Sequence, residues 1–196
     1  MASVGVYVAL LLLLAGGTTR QGECLIDDGN NYVREACSVT RYPDVCIHSL
    51  ASFSNAAKRN PRWWARAAVS VTLREAKCVA QYLAKLKKRG HLRGRSRVAL
   101  ADCIECFQDT IYNLHKSLGE LRTLQSRTFE RQMGDVETWM SATLTDEDTC
   151  LEGFGDQEGR QIRSSLSNRV LNVTYMTSNA LALVTKLASV GITSNP

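Results

Sequence analysis

Two cysteines separated by two residues are the first feature of this sequence that could do chemistry. The stretch reads Asp102-Cys103-Ile104-Glu105-Cys106, and such a pair can bind zinc or exchange disulfides. A structural zinc site needs four ligands at characteristic spacing. A Cys-x-x-Cys redox site lies at the start of a helix in a βαβ unit. The sequence has no second pair of this kind, and its three histidines are scattered. We therefore predict no metal and no cofactor, with one cysteine in a disulfide and the other a small buried residue.

A single aspartate just beyond this pair is the second candidate. Gln108-Asp109-Thr110-Ile111-Tyr112 resembles the Gln-Asp-Thr-Leu-Tyr stretch of plant pectinesterases, in which the aspartate acts in acid–base catalysis. Those enzymes are β-helices, and their other motifs (Gly-x-Tyr-x-Glu, Asp-Phe-Ile-Phe-Gly, Leu-Gly-Arg-Pro-Trp) do not occur in this sequence. A catalytic aspartate also needs a second acid and a charge-stabilising group that converge on it. The prediction is that the chain is not an enzyme.

Both candidates lie on one predicted helix, from Ser96 to Arg122. Its apolar side chains recur at alternating intervals of four and three residues, which places them on one helical face; they are Leu100, Ile104, Phe107, Ile111, Leu114, Leu118 and Leu121. A face with seven apolar side chains needs partner helices. The helix should therefore lie inside a helical bundle.

Three more long helices are predicted around it, so the fold class is all-α. Asn60-Pro61 is typical of a helix start, and helical spacing continues from there to about Lys88. A polar connection with some helical character is expected over Thr123 to Gly134, and a shorter amphipathic helix up to Cys150, with Val136 on its apolar face. The last helix should run from about Ile162 to Leu187.

The segment before Asn60 predicts an N-terminal arm of two short helices. Tyr42-Pro43-Asp44 interrupts the helical pattern, and Cys37 and Cys46 flank the interruption. A disulfide across so small a loop would remove roughly 2.5–3 kcal/mol of unfolded-state entropy. The chain has an odd number of cysteines, so at least one thiol is free or pairs between chains; they are Cys24, Cys37, Cys46, Cys78, Cys103, Cys106 and Cys150.

The first residues predict a secretory signal peptide. Val8 to Ala15 is an unbroken apolar run followed by small residues, and it is too short to span a bilayer, which takes about 20 residues. We assign residues 1–22 to the signal, with an approximate cleavage site, and residues 23–196 to one domain. The mature protein should be secreted, with no membrane association after cleavage.

Three surface features have both a structural and a functional interpretation. The run from Lys85 to Arg97 holds seven Lys or Arg and is either a solvated loop between helices or a contact for an acidic polymer. Trp63-Trp64 should direct one indole into the core and leave the other near the surface. Asn172-Val173-Thr174 is an N-glycosylation sequon. The formal net charge of +5 does not by itself favour a nucleic-acid partner.

Four segments together resemble one plant family. Cys37-Ser-Val-Thr-Arg-Tyr-Pro-Asp-Val-Cys46 is similar to the C-x-x-T-x-Y-P-x-x-C opening of the invertase and pectin methylesterase inhibitors. Three further segments resemble the family in order and spacing, namely ALADC from Ala99 to Cys103, TWMSATLTDEDTCLEGF from Thr138 to Phe154, and SNALAL from Ser178 to Leu183.

The resemblance implies an up-down-up-down four-helix bundle with an N-terminal helical hairpin arm, stapled by disulfides. It also implies the bridges Cys37–Cys46 and Cys103–Cys150. The three remaining cysteines are additional to the family pattern, and we expect Cys78 and Cys106 to be buried thiols or a weak third bridge.

The resemblance further implies a secreted inhibitor in the apoplast or cell wall that forms a 1:1 complex with pectin methylesterase and covers its substrate cleft. Acid invertase is the alternative target, but the loop from Gly153 to Arg160 lacks the Pro-Lys-Phe motif of invertase inhibitors. A module that binds acidic pectin, or one that corresponds to a pectinesterase pro-region, is a further alternative. The family contacts come from bundle helices, so the expected interface residues are Trp63, Arg66, Ser141, Thr145 and Asp148.

Overall fold

The computed structural model describes residues 28–90, 92–154 and 157–191, and most of these residues are helical. Helices α1 (Asp28–Cys37) and α2 (Pro43–Leu50) form the N-terminal arm, and a 3₁₀ turn (Ala51–Phe53) leads into the short helix α3 (Ser54–Ala57). Four long helices follow, which are α4 (Pro61–Arg89), α5 (Gly94–Arg122), α6 (Phe129–Glu152) and α7 (Gln157–Val190).

The four long helices form a bundle in which each packs on the next along the chain and α7 packs back on α4. Because the connections between them are short, consecutive helices run antiparallel. This arrangement confirms the predicted all-α bundle with up-down-up-down topology and an N-terminal helical arm. No helix in the part of the chain that the structure describes is long and apolar enough to cross a membrane.

The arm is docked on α7 by a polar contact and an aromatic contact. The side chain of Asn179 accepts a hydrogen bond from the Tyr42 backbone N–H at 3.0 Å and donates one to the Tyr42 carbonyl at 2.8 Å. The Tyr42 ring also stacks on the Tyr175 ring, with 4.1 Å between centroids. These contacts hold the turn between α1 and α2, at Tyr42-Pro43, against the bundle.

Helix α4 begins where the sequence predicts. The Asn60 side-chain oxygen accepts hydrogen bonds from the backbone N–H groups of Arg62 and Trp63, at 3.0 and 3.3 Å, which caps the first turn. At the other end, Gly90 adopts a φ of +67° and terminates the helix in the left-handed conformation that glycine allows.

The predicted connection over residues 123–134 has the helical character expected of it, but its second half is part of the next long helix, because α6 begins at Phe129. Gln132 explains the difference, since this polar residue is buried and belongs to the helix. Its side-chain oxygen accepts from the Gln125 backbone N–H at 2.9 Å, and its amide donates to the Glu120 carboxylate at 2.7 Å. The Gln132 side chain therefore links the start of α6 to the α5–α6 connection and to the end of α5, and its polarity does not indicate a loop.

The buried face of α5 is rotated from the predicted apolar stripe. Ile104 and Ile111 are only half-buried, whereas Cys103, Thr110 and Ser117 are fully buried. Small side chains at these positions face the neighbouring helix and let the backbones approach closely. The Cα atoms of Cys103 and Cys150 are 4.1 Å apart.

Two disulfides tie the fold together. Cys37–Cys46 joins α1 to α2, and Cys103–Cys150 joins α5 to α6. Cys78 and Cys106 are free thiols, so they form no third bridge. Cys78 is exposed, which corrects the prediction of a buried thiol: the buried face of α4 passes through Val79 and Leu83 instead. Cys24 and the predicted signal peptide lie outside the described residues.

Candidate protein-binding surface

The outer surface of helices α4, α5 and α6 carries exposed aromatic rings beside cations. Trp63 in the first turn of α4 is 45% exposed, and Tyr112 in the middle of α5 is 62% exposed. Trp139 on α6 is half-buried. Tryptophan, tyrosine and arginine are the residues that most often dominate the energetics of protein–protein interfaces. This surface is therefore the candidate for partner binding.

The first cluster on this surface lies between α4 and α5. The Arg66 guanidinium lies over the Trp63 ring, 5.0 Å from its centroid, which is a cation–π distance. Next to them is a surface cavity of about 120 Å³ lined by Phe53, Trp63, Arg66, Ala67, Ser70, Leu118 and Arg122. Partial burial, followed by the charges of Arg62 and Arg122, lowers the pKa of Arg66. Arginine stays charged at any physiological pH, so the cavity has a positive rim.

Arg62 holds this cluster in place. Its Nε donates to the Leu121 carbonyl at 3.4 Å, and its Nη2 donates to the Arg122 carbonyl at 2.9 Å. These carbonyls belong to the last turn of α5, where the helix supplies no partner of its own. The start of α4 is thereby fastened to the end of α5.

The second cluster lies between α5 and α6. The Lys116 ammonium is 4.0 Å from the centroid of the Trp139 ring and 5.3 Å from that of Tyr112. Lys116 and Tyr112 are one helical turn apart on α5, so one cation joins two aromatic rings from neighbouring helices. We refer to both clusters together as the aromatic–cation surface: Trp63, Arg66, Tyr112, Lys116 and Trp139.

The predicted interface residues fall into two separate groups. Trp63 and Arg66 belong to the aromatic–cation surface, and the adjacent Trp64 is buried, as the sequence predicts. Ser141, Thr145 and Asp148 are exposed along α6, the helix that also carries Trp139. The structure does not bring these three to Trp63 and Arg66, and their part in an interface stays a prediction.

Tyr112, Lys116 and Trp139 were missed at the level of sequence. A signal was present, because Tyr112 and Lys116 lie four residues apart and off the apolar face of a predicted helix. Their contact with Trp139 depends on the packing of α5 against α6, which the sequence pattern does not encode.

The groups considered for catalysis, Cys106 and Asp109, lie on α5 close to Asp146 of α6. Asp109 is exposed. Burial, followed by the charge of Asp109, raises the pKa of Asp146, while a hydrogen bond from Asn113 acts in the opposite direction. Burial, followed by the charge of Asp146, also raises the pKa of Cys106, which keeps this thiol protonated and a poor nucleophile. Among the described residues, no group of three His, Cys, Asp or Glu could hold a metal ion.

The glycosylation sequon lies on α7. Asn172 is exposed, and its amide donates to the sulfur of Met176 at 3.8 Å. The side chain therefore faces solvent, as attachment of a glycan requires. Glycosylation of Asn172 stays a prediction.

Comparison with known proteins gives concordant matches. The family model described as plant invertase/pectin methylesterase inhibitor matches residues 31–183. Pectinesterase inhibitor 6 of Arabidopsis thaliana is 41% identical over 92% of this chain and 86% of its own length. The 21 kDa protein of Daucus carota is 34% identical over 94% of both chains. A crystal structure of mutant form A of a pectin methylesterase inhibitor from Arabidopsis shares the fold, with a TM-score of 0.62 and 22% identity over 76% of this chain and 92% of that one.

Proposed function

The chain belongs to the plant invertase/pectin methylesterase inhibitor family, and we propose that it inhibits a pectin methylesterase by covering the substrate cleft of the enzyme in a 1:1 complex. A relative that is 41% identical over most of this chain carries the name pectinesterase inhibitor. The structural observation that supports the proposal most directly is the aromatic–cation surface. It offers anchor residues of the types that dominate protein–protein binding.

The proposed mechanism is steric exclusion. The inhibitor makes and breaks no covalent bond, and pectin is kept out because the cleft is already filled. The cations Arg66 and Lys116 favour this role, because the active site of the pectinesterases named above contains a catalytic aspartate. Opposite charges across an interface accelerate association and fix its orientation.

The rigidity of the bundle supports tight binding. Trp63 and Trp139 are both held by cation–π contacts, and α5 is joined covalently to α6. Side chains that are ordered before binding lose less conformational entropy on association. The surface is therefore preorganised for a partner of fixed shape.

We further infer that the protein acts in the apoplast or cell wall. The apolar run from Val8 to Ala15 predicts export. Disulfides such as Cys37–Cys46 and Cys103–Cys150 are typical of proteins in oxidising compartments. The exposed sequon at Asn172 is compatible with the same route.

The target is tested by adding increasing amounts of the purified protein to a pectin methylesterase and, separately, to an acid invertase. We expect loss of methyl-ester hydrolysis that is complete at about one inhibitor per enzyme, and no effect on sucrose hydrolysis. Inhibition of invertase alone would replace the proposed target by the alternative one. No effect on either enzyme would refute the proposal.

A further inference from the structure

We propose that the end of the bundle where α4 turns into α5 binds de-esterified pectin, a polymer of carboxylates, at a site separate from the aromatic–cation surface. The inference extends the proposed function and rests on it for the choice of polymer, because pectin methylesterase converts neutral methyl esters into carboxylates. We refer to the site as the basic end: Lys85, Lys87, Lys88, Arg89, Arg93, Arg95 and Arg97.

The basic end is a dense array of accessible positive charge. All seven side chains are exposed, and no Asp or Glu occurs between Lys85 and Ala101. The ion pairs Arg59–Glu35 and Arg131–Asp135 involve none of the seven, and within residues 28–90, 92–154 and 157–191 no carboxylate forms an ion pair with them. An anionic partner would therefore meet them unpaired.

The structure confirms that this run joins two helices and shortens the predicted loop between them to residues 90–93. Lys85 to Arg89 form the last turn of α4, and Arg95 and Arg97 lie in the first turn of α5, with residues 90–93 between the helices. The cations are thus held on two helix ends that meet at a short turn.

Helix dipoles account for only part of the array. Cations at the C-terminal end of α4 are stabilised by the negative end of its dipole, which suffices to explain Lys87, Lys88 and Arg89. The first turn of α5 is the positive end of a dipole and contains no acidic residue. Arg95 and Arg97 are placed where the fold disfavours a cation, and an external anion would remove that cost.

The shape of the basic end favours a sugar polymer. A recess of about 530 Å³ separates the two helix ends and is lined by Leu86, Lys87, Gly90, Leu92, Arg97, Val98, Leu100 and Ala101. It combines cations with apolar side chains, and the apolar face of a sugar ring can contact the latter. No Phe, Tyr or Trp occurs between Leu83 and Cys106, so the stacking platforms used for single-stranded nucleic acids are missing.

The basic end and the aromatic–cation surface can be occupied together. Trp63 lies in the first turn of α4 and Lys87 in its last turn, which are about 36 Å apart at a rise of 1.5 Å per residue. An inhibitor tethered to carboxylate-rich pectin would be concentrated where the enzyme has already acted. Binding of the reaction product would thus direct inhibition to de-esterified stretches.

The test measures binding of the full chain to polygalacturonate and to highly methyl-esterified pectin at several salt concentrations. We expect binding to polygalacturonate that weakens as salt is added and at least tenfold weaker binding to the esterified polymer. Equal affinity for the two polymers would overturn the proposal. So would tighter binding to single-stranded RNA or to vesicles that contain phosphatidylserine, because the partner class would then be wrong.

The matched variants carry three substitutions each. Arg93→Gln, Arg95→Gln and Arg97→Gln together should lower the affinity for polygalacturonate roughly tenfold without lowering the melting temperature, since the dipole cost is removed. Arg34→Gln, Arg127→Gln and Lys186→Gln remove the same charge from exposed positions elsewhere and should change the affinity less than twofold. Equal losses in both triple variants would show that only net charge matters and would overturn the proposal.

Inhibition of pectin methylesterase on highly esterified pectin separates this inference from the proposed function. The Arg93, Arg95 and Arg97 triple variant should inhibit as strongly as the wild type. Intact inhibition by a protein that does not bind polygalacturonate would refute polymer binding at the basic end and leave the proposed function in place. Binding of polygalacturonate without inhibition would reject the proposed function alone.

Discussion

Glu147 is an acid that the bundle buries completely between α6 and α7. The Thr177 hydroxyl donates to its Oε1 at 2.7 Å. Burial is the main cause that raises the pKa of Glu147 to about 8, and the neighbouring charges of Asp148 and Asp146 add to it, while hydrogen bonding acts in the opposite direction. The side chain is therefore protonated in the folded protein at neutral pH.

This burial predicts a stability that falls as the pH rises. Between the ordinary value of 4.5 and the folded pKa of about 8, the folded state binds one more proton than the unfolded chain. The free energy of unfolding should then decrease by about 1 kcal/mol per pH unit through this range. Glu147→Gln keeps the shape but cannot ionise, so urea unfolding between pH 5 and pH 8 should lose this slope.

The partly exposed Glu137 on the same helix gives the matched control. Glu137→Gln should retain the wild-type slope, because Glu137 contacts Thr185 at the edge of the bundle. An unchanged slope in Glu147→Gln would show that Glu147 is already ionised in the fold.

Single residues could be interpreted from the sequence where one physical property, such as capping or a fixed φ, determines the local structure. Pro43 and Asn60 mark helix starts, and the structure has helices beginning at Pro43 and Pro61. The burial of Glu147, Thr110 and Ser117 was not predicted, because a search for apolar spacing assigns only apolar side chains to the core. Their positions at helical spacing with buried neighbours were the only available signal.

At the scale of elements, Gly153 shows how closely α5 approaches the end of α6. A Cβ at Gly153 would lie 3.0 Å from the Ala99 Cβ and 3.4 Å from the Ala99 Cα. Gly153→Val should therefore lower the free energy of unfolding by roughly 1–3 kcal/mol through overpacking, measured by thermal melting or urea.

Gly134 provides the opposite case within the same helix. It lies inside α6, and a Cβ there would have no atom within 4 Å. Gly134→Ala should stabilise the protein by about 0.5–1 kcal/mol through helix propensity. Equal effects of the two substitutions would contradict the close approach at Gly153.

The Cys103–Cys150 bridge should contribute more stability than the other cysteines on these helices. It closes a loop with a sequence separation of 47, for which the loop-entropy account gives about 4 kcal/mol. Cys103→Ala with Cys150→Ala should lower the free energy of unfolding by about that amount in guanidinium. The free thiol Cys106 is the control, and Cys106→Ala should cost less than about 1 kcal/mol because the residue is only half-buried.

Long elements could be predicted because apolar spacing repeats over many turns. The existence of α4, α5, α6 and α7 follows from this spacing, as does the start of α4. The residue at which α6 begins could not be predicted, because Gln132 is polar and its burial depends on partners in the α5–α6 connection. A polar side chain that hydrogen-bonds to a turn has no apolar spacing to mark it as helical, so its segment is predicted as a loop.

At the scale of the whole molecule, the aromatic–cation surface should carry the affinity for the enzyme. Trp63→Ala and Tyr112→Ala should each raise the inhibition constant for pectin methylesterase at least tenfold, the loss typical of an interface hot spot. The melting temperature should change little for Tyr112→Ala, because Tyr112 is 62% exposed, and somewhat more for Trp63→Ala, because Trp63 is 45% exposed. Unchanged inhibition by both variants would exclude this surface as the binding site.

Leu171 is the matched control for these variants. It is an exposed apolar residue on α7, outside the surface formed by α4, α5 and α6, and Leu171→Ala should leave inhibition unchanged. Comparable losses for Leu171→Ala and Trp63→Ala would place the contact on more than one side of the bundle.

The candidate surface was only half predictable from the sequence. Trp63 and Arg66 could be proposed from an adjacent pair of tryptophans in which one had to be exposed. Tyr112, Lys116 and Trp139 form a cluster only because two helices pack side by side. Ser141, Thr145 and Asp148 remain candidates at other exposed positions of α6, and their substitution would show how far the contact extends.

The most direct test of the account is the dependence of inhibition on pectin concentration. Inhibitor and substrate should exclude one another from the same cleft, so the apparent inhibition constant for pectin methylesterase should rise linearly with the pectin concentration. We expect this rise together with complete inhibition at one inhibitor per enzyme. An apparent inhibition constant that does not change with pectin concentration would contradict occlusion of the cleft.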